Sequence, residues 1–478
     1  MKKEVLRMQD VCVGNFEPYG LNDFCLHICE GEMVNVIGLS GAGKTMIYEY
    51  FMGYIPLRKG KVIFDGKTSH AGEYFGNIND VICIGKGSTL ISGLSVAENI
   101  FIITGKRKVR GIIRMKNIYY RAKILLAQYA PELSPYTLIR NLTPLQMIIV
   151  EMLRVIENEA KLIIIDDVFQ GYGQNDLLRV TELLGILKEK KVAIIYGSHE
   201  MDFTRTLADK TVVLRKGKNV RTFYQSDYSD EYCRKLLIGN EALPSFSRYN
   251  VNTDQEVLQI HGLSGERYVE NFSMKIHKGE IIGLYDLNNQ KNMEILQMII
   301  GEAVIKNGWL YLKGERYEPR NLEFAIKNRI GYIPRNLEGV NLVESMNFAD
   351  NLCLPVLKKT SYLKIFRNKS ISQFLEKEYM QKLGVPYEEK DTKVKYFDEY
   401  NKNSILLTRW ILFHPVLMVC MEPCGNADMV MQNIIFQGLS EMAESGIAVL
   451  IASQNMNELK TICDKVYVLD NDEKKFLS

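Results

Sequence analysis

The sequence predicts an α/β chain of two tandem domains, each built on a parallel sheet, and three observations predict it. Residues 38–45 read GLSGAGKT, a full phosphate-binding loop between a predicted strand and a predicted helix. Aliphatic runs such as LIIID (162–166) and VAIIYGSH (192–199) alternate with helix-like segments, the order of a parallel sheet. The chain also repeats itself. Gly31-Glu32, Gly53 and Gly60 recur as Gly279-Glu280, Gly301 and Gly308, each 248 residues on. VAIIYGSHEMDFTRTLADK (192–210) lines up with IAVLIASQNMNELKTICDK (447–465) at an offset of 255, so the second copy carries a seven-residue insertion. A repeat this long means two domains rather than a solenoid.

Taken in order, VCVGNF, FCLHIC and MVNVIG read as strands, and Met46 to Met52 as the helix after the loop. KVIFDGK returns to a strand and turn. Residues 116–158 carry apolar positions at helical spacing through ILLAQYA and MIIVEMLRVI and read as helix. LIIID is a buried parallel strand by its unbroken aliphatic run, a helix follows, and VAIIYGSH is the next buried strand. The predicted domains are 1–240 and 255–478. Between them lies a polar, aperiodic linker, EALPSFSRYNVNTD (241–254). From VLQIHGL to VYVLDND the second domain repeats the order of the first.

Sixty basic and 57 acidic residues leave a net charge of +3, so no global field points to nucleic acid. One cationic run, Lys106-Arg107-Lys108-Val109-Arg110 with Arg114 and Lys116, reads as a solvated face or as a contact with a membrane surface or membrane partner. No apolar stretch approaches the roughly 18 residues that span a bilayer. MKKEVLRMQD lacks the apolar core of a secretion signal. The nine cysteines have no metal-ligand spacing and read as reduced thiols of a cytoplasmic protein.

The loop supplies the chemistry. Gly38, Gly41 and Gly43 let the backbone turn tightly and aim its amides, with those of Ser40 and Ala42, at phosphate oxygens. Lys44 reaches for the β- and γ-phosphates and Thr45 for Mg²⁺. Asp166, at the carboxyl end of a buried strand, sits where it can hold the Mg²⁺ shell. His199 ends the next strand and reads as a γ-phosphate contact, against a purely structural role. The second copy of the loop reads DLNNQKNM (286–293), and every residue the chemistry needs is gone. Nucleotide binding is therefore expected at one site, with ATP and Mg²⁺ as ligands.

These residues resemble the ATP-binding subunit of an ABC transporter, of the tandem type that serves ribose, galactose and xylose importers. LSVAENIF (94–101), VAIIYGSHEMD (192–202), GLSG (262–265), NLCLP (351–355) and Arg409-Trp410 carry the likeness over nearly the whole chain. The resemblance implies two ABC nucleotide-binding domains, each with a P-loop parallel-sheet core, an antiparallel β subdomain and a helical subdomain. It implies that the two domains pair head to tail, and that each ATP lies between one loop and the other domain's LSGGQ-type signature. It also implies integral-membrane permeases as partners, near Lys86–Leu94 and Arg335–Val343, no direct sugar contact, and a place on the inner face of the membrane. Asp167 stands where the family has its catalytic glutamate and forms the candidate catalytic pair with His199. An aromatic residue, Phe16 or Tyr19, stands for the adenine platform.

The chain departs from the family at both signatures. The first reads LTPLQ (142–146), in which Pro144 has no amide and Leu145 adds bulk. The second reads FDEYN (397–401), whose Asp398 and Glu399 present acid; like charges about 4 Å apart repel by ~1 kcal/mol in water and ~4 at an effective dielectric of 20. Lys86 replaces the glutamine of the first glutamine loop, Arg335 an acidic residue of the second copy, Met421 the second metal-binding aspartate and Gln454 the second switch histidine. Glu422 and Asp428 survive. Asp167 is shorter than glutamate by one carbon–carbon bond, about 1.5 Å, and a displacement near 1 Å costs on the order of a hundredfold in rate. Two readings follow: the energy subunit of a sugar importer with slow or lost hydrolysis, or a nucleotide-binding regulator or scaffold on the same fold. A ribosome-acting tandem ATPase is disfavoured by the short linker and the modest basic surface.

Overall fold

Unbroken aliphatic runs become central strands, and alternating ones become half-exposed strands. Met33–Ile37 is buried at every position because it is flanked by strands on both sides and covered on both faces. In Leu21–Cys29, Phe24, Leu26 and Ile28 point inward while Asp23, Cys25 and His27 face out.

The structure is a computed structural model. It describes every residue except 1, 15–19, 77–79, 86, 102–114, 170–171, 173, 200–205, 240–253, 287–288, 336–341, 355–360, 363–365, 368–376, 379, 381–389, 398, 426, 470–474 and 478. At 174–175, 353, 361–362, 366–367, 399 and 475–477 it describes the backbone alone. The linker apart from Asp254, Phe16, Tyr19, Lys86, the run 106–110 with Arg114, and Asp398 therefore lie outside the described residues. The chain divides into two units, Met1–Glu241 and Ala242–Ser478.

The first unit runs β1 (Glu4–Val13), β2 (Leu21–Cys29), β3 (Met33–Ile37), α1 (Lys44–Phe51), β4 (Leu57–Phe64), β5 (Lys67–His70), β6 (Val81–Ile84), α2 (Val96–Phe101) and α3 (Met115–Tyr129). It continues with α4 (Pro144–Glu157), β7 (Leu162–Asp166), α5 (Gln174–Glu189), β8 (Ala193–Ser198), β9 (Lys210–Arg215), β10 (Lys218–Tyr224) and α6 (Asp230–Ile238). A six-stranded sheet in the order β10-β9-β3-β8-β7-β6 is parallel except at β10, and a four-stranded antiparallel sheet runs β2-β1-β4-β5. Helix α1 shares one core with both sheets, and its Phe51 packs edge-on against Tyr50 and Phe75. Each such large apolar side chain contributes about 1.5–3 kcal/mol by leaving water.

The second unit runs β11 (Glu256–Ser264), β12 (Phe272–His277), β13 (Ile281–Tyr285), α7 (Gln290–Ile300), β14 (Asn307–Leu312), β15 (Glu315–Tyr317), α8 (Leu322–Lys327), β16 (Ile330–Ile333) and α9 (Phe348–Cys353). A short ladder, β17 (Ser361–Tyr362) and β18 (Phe366–Arg367), precedes α10 (Glu399–Phe413). Then come β19 (Leu417–Met421), α11 (Met429–Glu444), β20 (Ala448–Ser453), α12 (Met456–Ile462), β21 (Lys465–Val468) and β22 (Lys475–Leu477). Its sheets, β16-β19-β20-β13-β21-β22 and β12-β11-β14-β15, repeat those of the first unit. Backbone strain repeats as well: Asp65 and Lys313 hold positive φ 248 residues apart, and Asp167 and Glu422 do so 255 apart.

One predicted element differs. Residues 116–158 are two helices, α3 and α4, separated by a turn and a short 3₁₀ segment at Ile139–Asn141. Pro131 and Pro135 remove the amides a continuous helix needs, and Pro144 sits where proline fits best, in the first turn of α4.

Candidate nucleotide-binding site

Strand β3 delivers the phosphate loop at the carboxyl edge of the parallel sheet, and α1 begins at Lys44. Gly43 caps the helix at φ 104, a left-handed conformation that side chains avoid. A Cβ on Gly38 would fall 2.7 Å from the Leu214 carbonyl oxygen and 2.8 Å from the Ala42 Cβ, so only glycine fits there.

Lys44 is buried, and its ammonium donates to the Gly38 and Leu39 carbonyls and to His199 Nδ1 at 3.0 Å. His199 Nδ1 also lies 3.2 Å from the Gly38 carbonyl oxygen, and its Nε2 faces Asp167 Oδ2 at 2.6 Å. The Asp166 carboxylate is hydrogen-bonded to the Thr45 side chain, and both aspartates are buried. Burial pushes the Asp166 carboxyl above its ordinary value, and neighbouring Asp167 adds to this; the Thr45 bond and the charges of Lys44 and His199 oppose it. Asp167 holds φ 53, and its amide donates to the Gly197 carbonyl, which turns the chain at the strand end. The structure therefore brings Gly38, Gly43, Lys44, Thr45, Asp166, Asp167 and His199 together. The glycine cradle, an ammonium, and a hydroxyl–carboxylate pair fit a nucleotide phosphate with its Mg²⁺.

The LTPLQ segment is a well-built helix start. Thr143 Oγ1 accepts from the Gln146 amide, and Gln146 Oε1 accepts from the Thr143 amide, a reciprocal capping box. Asp428 caps α11 by accepting from the Met431 amide, without a reciprocal bond, and also accepts the Tyr400 hydroxyl at 2.7 Å; it is fully buried.

The second unit keeps the backbone and loses the chemistry. Asn289, at the position of Gly41, holds φ 56, a conformation asparagine tolerates. Helix α7 starts at Gln290, two residues earlier in the repeat than α1 does. Asn292 stands for Lys44, Met293 for Thr45, Met421 for Asp166 and Gln454 for His199. Glu422 survives, buried and pushed upward by burial, but Arg335 Nε lies 2.6 Å from its Oε2 and Asn289 Nδ2 donates to its Oε1 at 2.7 Å.

Two devices escaped the sequence reading. Glu151 on α4 accepts from Ser88 Oγ and from the Thr89 amide and hydroxyl, tying the loop after β6 to the helix. Buried Asn99 holds both backbone groups of exposed Ile91, and buried Asn351 does the same for exposed Val343. The signal for the second device was present: each pair is eight residues apart, and the pairs recur at an offset of 252.

Residues 21–170 match the family described as ABC transporter. The xylose import ATP-binding protein XylG of Thermoanaerobacter pseudethanolicus is 25% identical over 98% of this chain and 95% of its own length. The ribose import ATP-binding protein RbsA of Clostridium tetani is 25% identical over 98% of this chain and 93% of its own length. Among solved structures, the RNase-L inhibitor shares the fold at a TM-score of 0.59 and 14% identity, covering 96% of this chain and 88% of that one. The chain thus carries two tandem copies of one α/β fold, the first of which matches the ABC transporter family over residues 21–170, and over nearly its whole length it is similar to ATP-binding proteins of sugar importers.

Proposed function

We propose that this chain is the ATP-binding subunit of a monosaccharide-type ABC importer and takes one Mg·ATP per chain, at the first unit. The observation that carries the reading is the contrast between two copies of one backbone: Lys44, Thr45 and Asp166 converge in the first, and Asn292, Met293 and Met421 replace them in the second. Thr45 and Asp166 would hold the magnesium, and Lys44 the phosphates. His199 and Asp167 are the candidate catalytic pair, with the histidine oriented from one side by Lys44 and facing the carboxylate on the other. Permease partners are expected at the membrane, and among the described residues no helix is long and apolar enough to cross it. The import proteins to which the chain is similar supply that expectation.

Hydrolysis is slow or lost in this reading, because Asp167 is one carbon–carbon bond shorter than the family's glutamate and the second signature, FDEYN, presents acid in place of hydrogen-bond donors. The capped start of α4 also supports a second reading, a regulator or scaffold that binds nucleotide without pumping. Steady-state ATPase assays of the purified chain, with and without co-purified membrane partners, separate the two. Stimulation by a partner favours the importer. Brisk unstimulated turnover that disappears in Asp167→Asn contradicts impaired hydrolysis, whereas a negligible effect of that change supports it.

A further inference from the structure

The second unit has more than missing residues. Three buried carboxylates occupy donors around its former nucleotide slot. Asp286, at the position of Gly38, accepts the Lys291 amide at 2.8 Å, a donor at the N-terminal turn of α7. Glu294, at the position of Met46, accepts the amides of Arg267, Tyr268 and Val269 at 2.7–2.9 Å. That loop corresponds in the repeat to the segment after Gly14, where the adenine platform was expected. Glu422 accepts from Asn289 and pairs with Arg335.

In the first unit these positions hold Gly38, Met46 and Asp167, so two of the three carboxylates belong to the second copy alone. Backbone amides at a helix start and in a tight loop are the groups that bind anions. A carboxylate on the chain engages them at fixed, high local concentration and without the entropy cost that a free ligand incurs. The three carboxylates add negative charge to the slot, so an incoming triphosphate meets repulsion as well as occupied donors.

We propose that the second unit is self-liganded: Asp286, Glu294 and Glu422 act as built-in anions that fill its former nucleotide slot, so the unit is complete without nucleotide and closed to it. The inference rests on the single-site reading and extends it, because occupied donors then add to the loss of the lysine, threonine and aspartate. Restoring the lysine does not restore binding.

The test uses the full-length chain and ATPγS·Mg in equilibrium dialysis. The wild type and Asn292→Lys each bind one equivalent, and Lys44→Ala binds none. A second equivalent in Asn292→Lys, with one in the wild type, overturns the self-liganded slot and leaves the single-site reading standing. One equivalent retained by Lys44→Ala overturns that reading and this inference together. Hydrogen exchange gives an independent readout. The amides of residues 267–269 and 291 exchange at the same slow rate with and without ATPγS·Mg, and Glu294→Gln speeds 267–269 by tenfold or more while leaving 38–45 unchanged. Protection at 267–269 that arises only on adding nucleotide, or no acceleration in Glu294→Gln, sinks the proposal.

Discussion

The two units share a sheet order, a set of strained backbone positions and the Asn99/Asn351 clamp, yet only one keeps the glycines, lysine and threonine of the phosphate-loop motif. The first holds a cationic, glycine-lined cradle around Lys44; the second holds an acidic cluster around Asn292. What survives in both is set by packing, and what diverges is set by charge. A fold of this kind tolerates loss of its chemistry because the buried strands, not the loop side chains, stabilise it.

The comparison breaks most sharply at the loop lysines. Lys44→Ala lowers ATP·Mg affinity by about a hundredfold or more, ~2.7 kcal/mol, whereas Asn292→Ala leaves it within about twofold; titration calorimetry reads both. Next in size is the Glu294 anchor. Glu294→Ala strands three loop amides and destabilises the second unit by roughly 2–3 kcal/mol, and segment-resolved hydrogen exchange shows the first unit unaffected. The carboxyl itself is pushed up by burial, but the amide bonds from Arg267, Tyr268 and Val269 outweigh this and hold it below its ordinary value. Its stabilisation is therefore present above an ordinary glutamate pKa and is lost as pH falls through the depressed one.

Asp166 behaves oppositely, because its folded value is raised. Metal binding needs the carboxylate, so Mg·ATP affinity falls on acidification from a pH above the ordinary aspartate range, by about tenfold for each pH unit below the raised value. The same group's ionisation opposes folding, so its penalty on the nucleotide-free first unit is relieved as pH falls through that value. Affinity and melting temperature measured over one pH series, with Asp166→Asn as reference, check both signs. The smallest effect is at the capped helix. Thr143→Ala costs about 1 kcal/mol of first-unit stability through the lost cap and leaves ATP affinity unchanged in a denaturation and binding comparison.

Much of the site was legible in the sequence because its chemistry is local. Gly38 to Thr45 form one continuous motif, and Asp166, Asp167 and His199 end aliphatic strands whose parallel pairing brings those ends to one edge. The repeat positions at offsets of 248 and 255 mark the twofold sheet pattern. The break between α3 and α4 was legible too, in Pro131 and Pro135, but helical periodicity on either side masked it. Glu294 gave no signal: on sequence it is one glutamate on an amphipathic helix, and its three partners lie 25–27 residues away. Likewise nothing local joins Arg335 to Glu422 or Glu151 to Thr89.

From the order of its residues alone, this chain declared a doubled α/β fold and one intact phosphate loop, because strand burial, helix periodicity and loop glycines act over a few neighbouring positions. Only the tertiary structure decided where the buried acids of the second unit point. Those contacts depend on which distant amides the fold brings within about 3 Å of a carboxylate, and sequence spacing does not encode that distance.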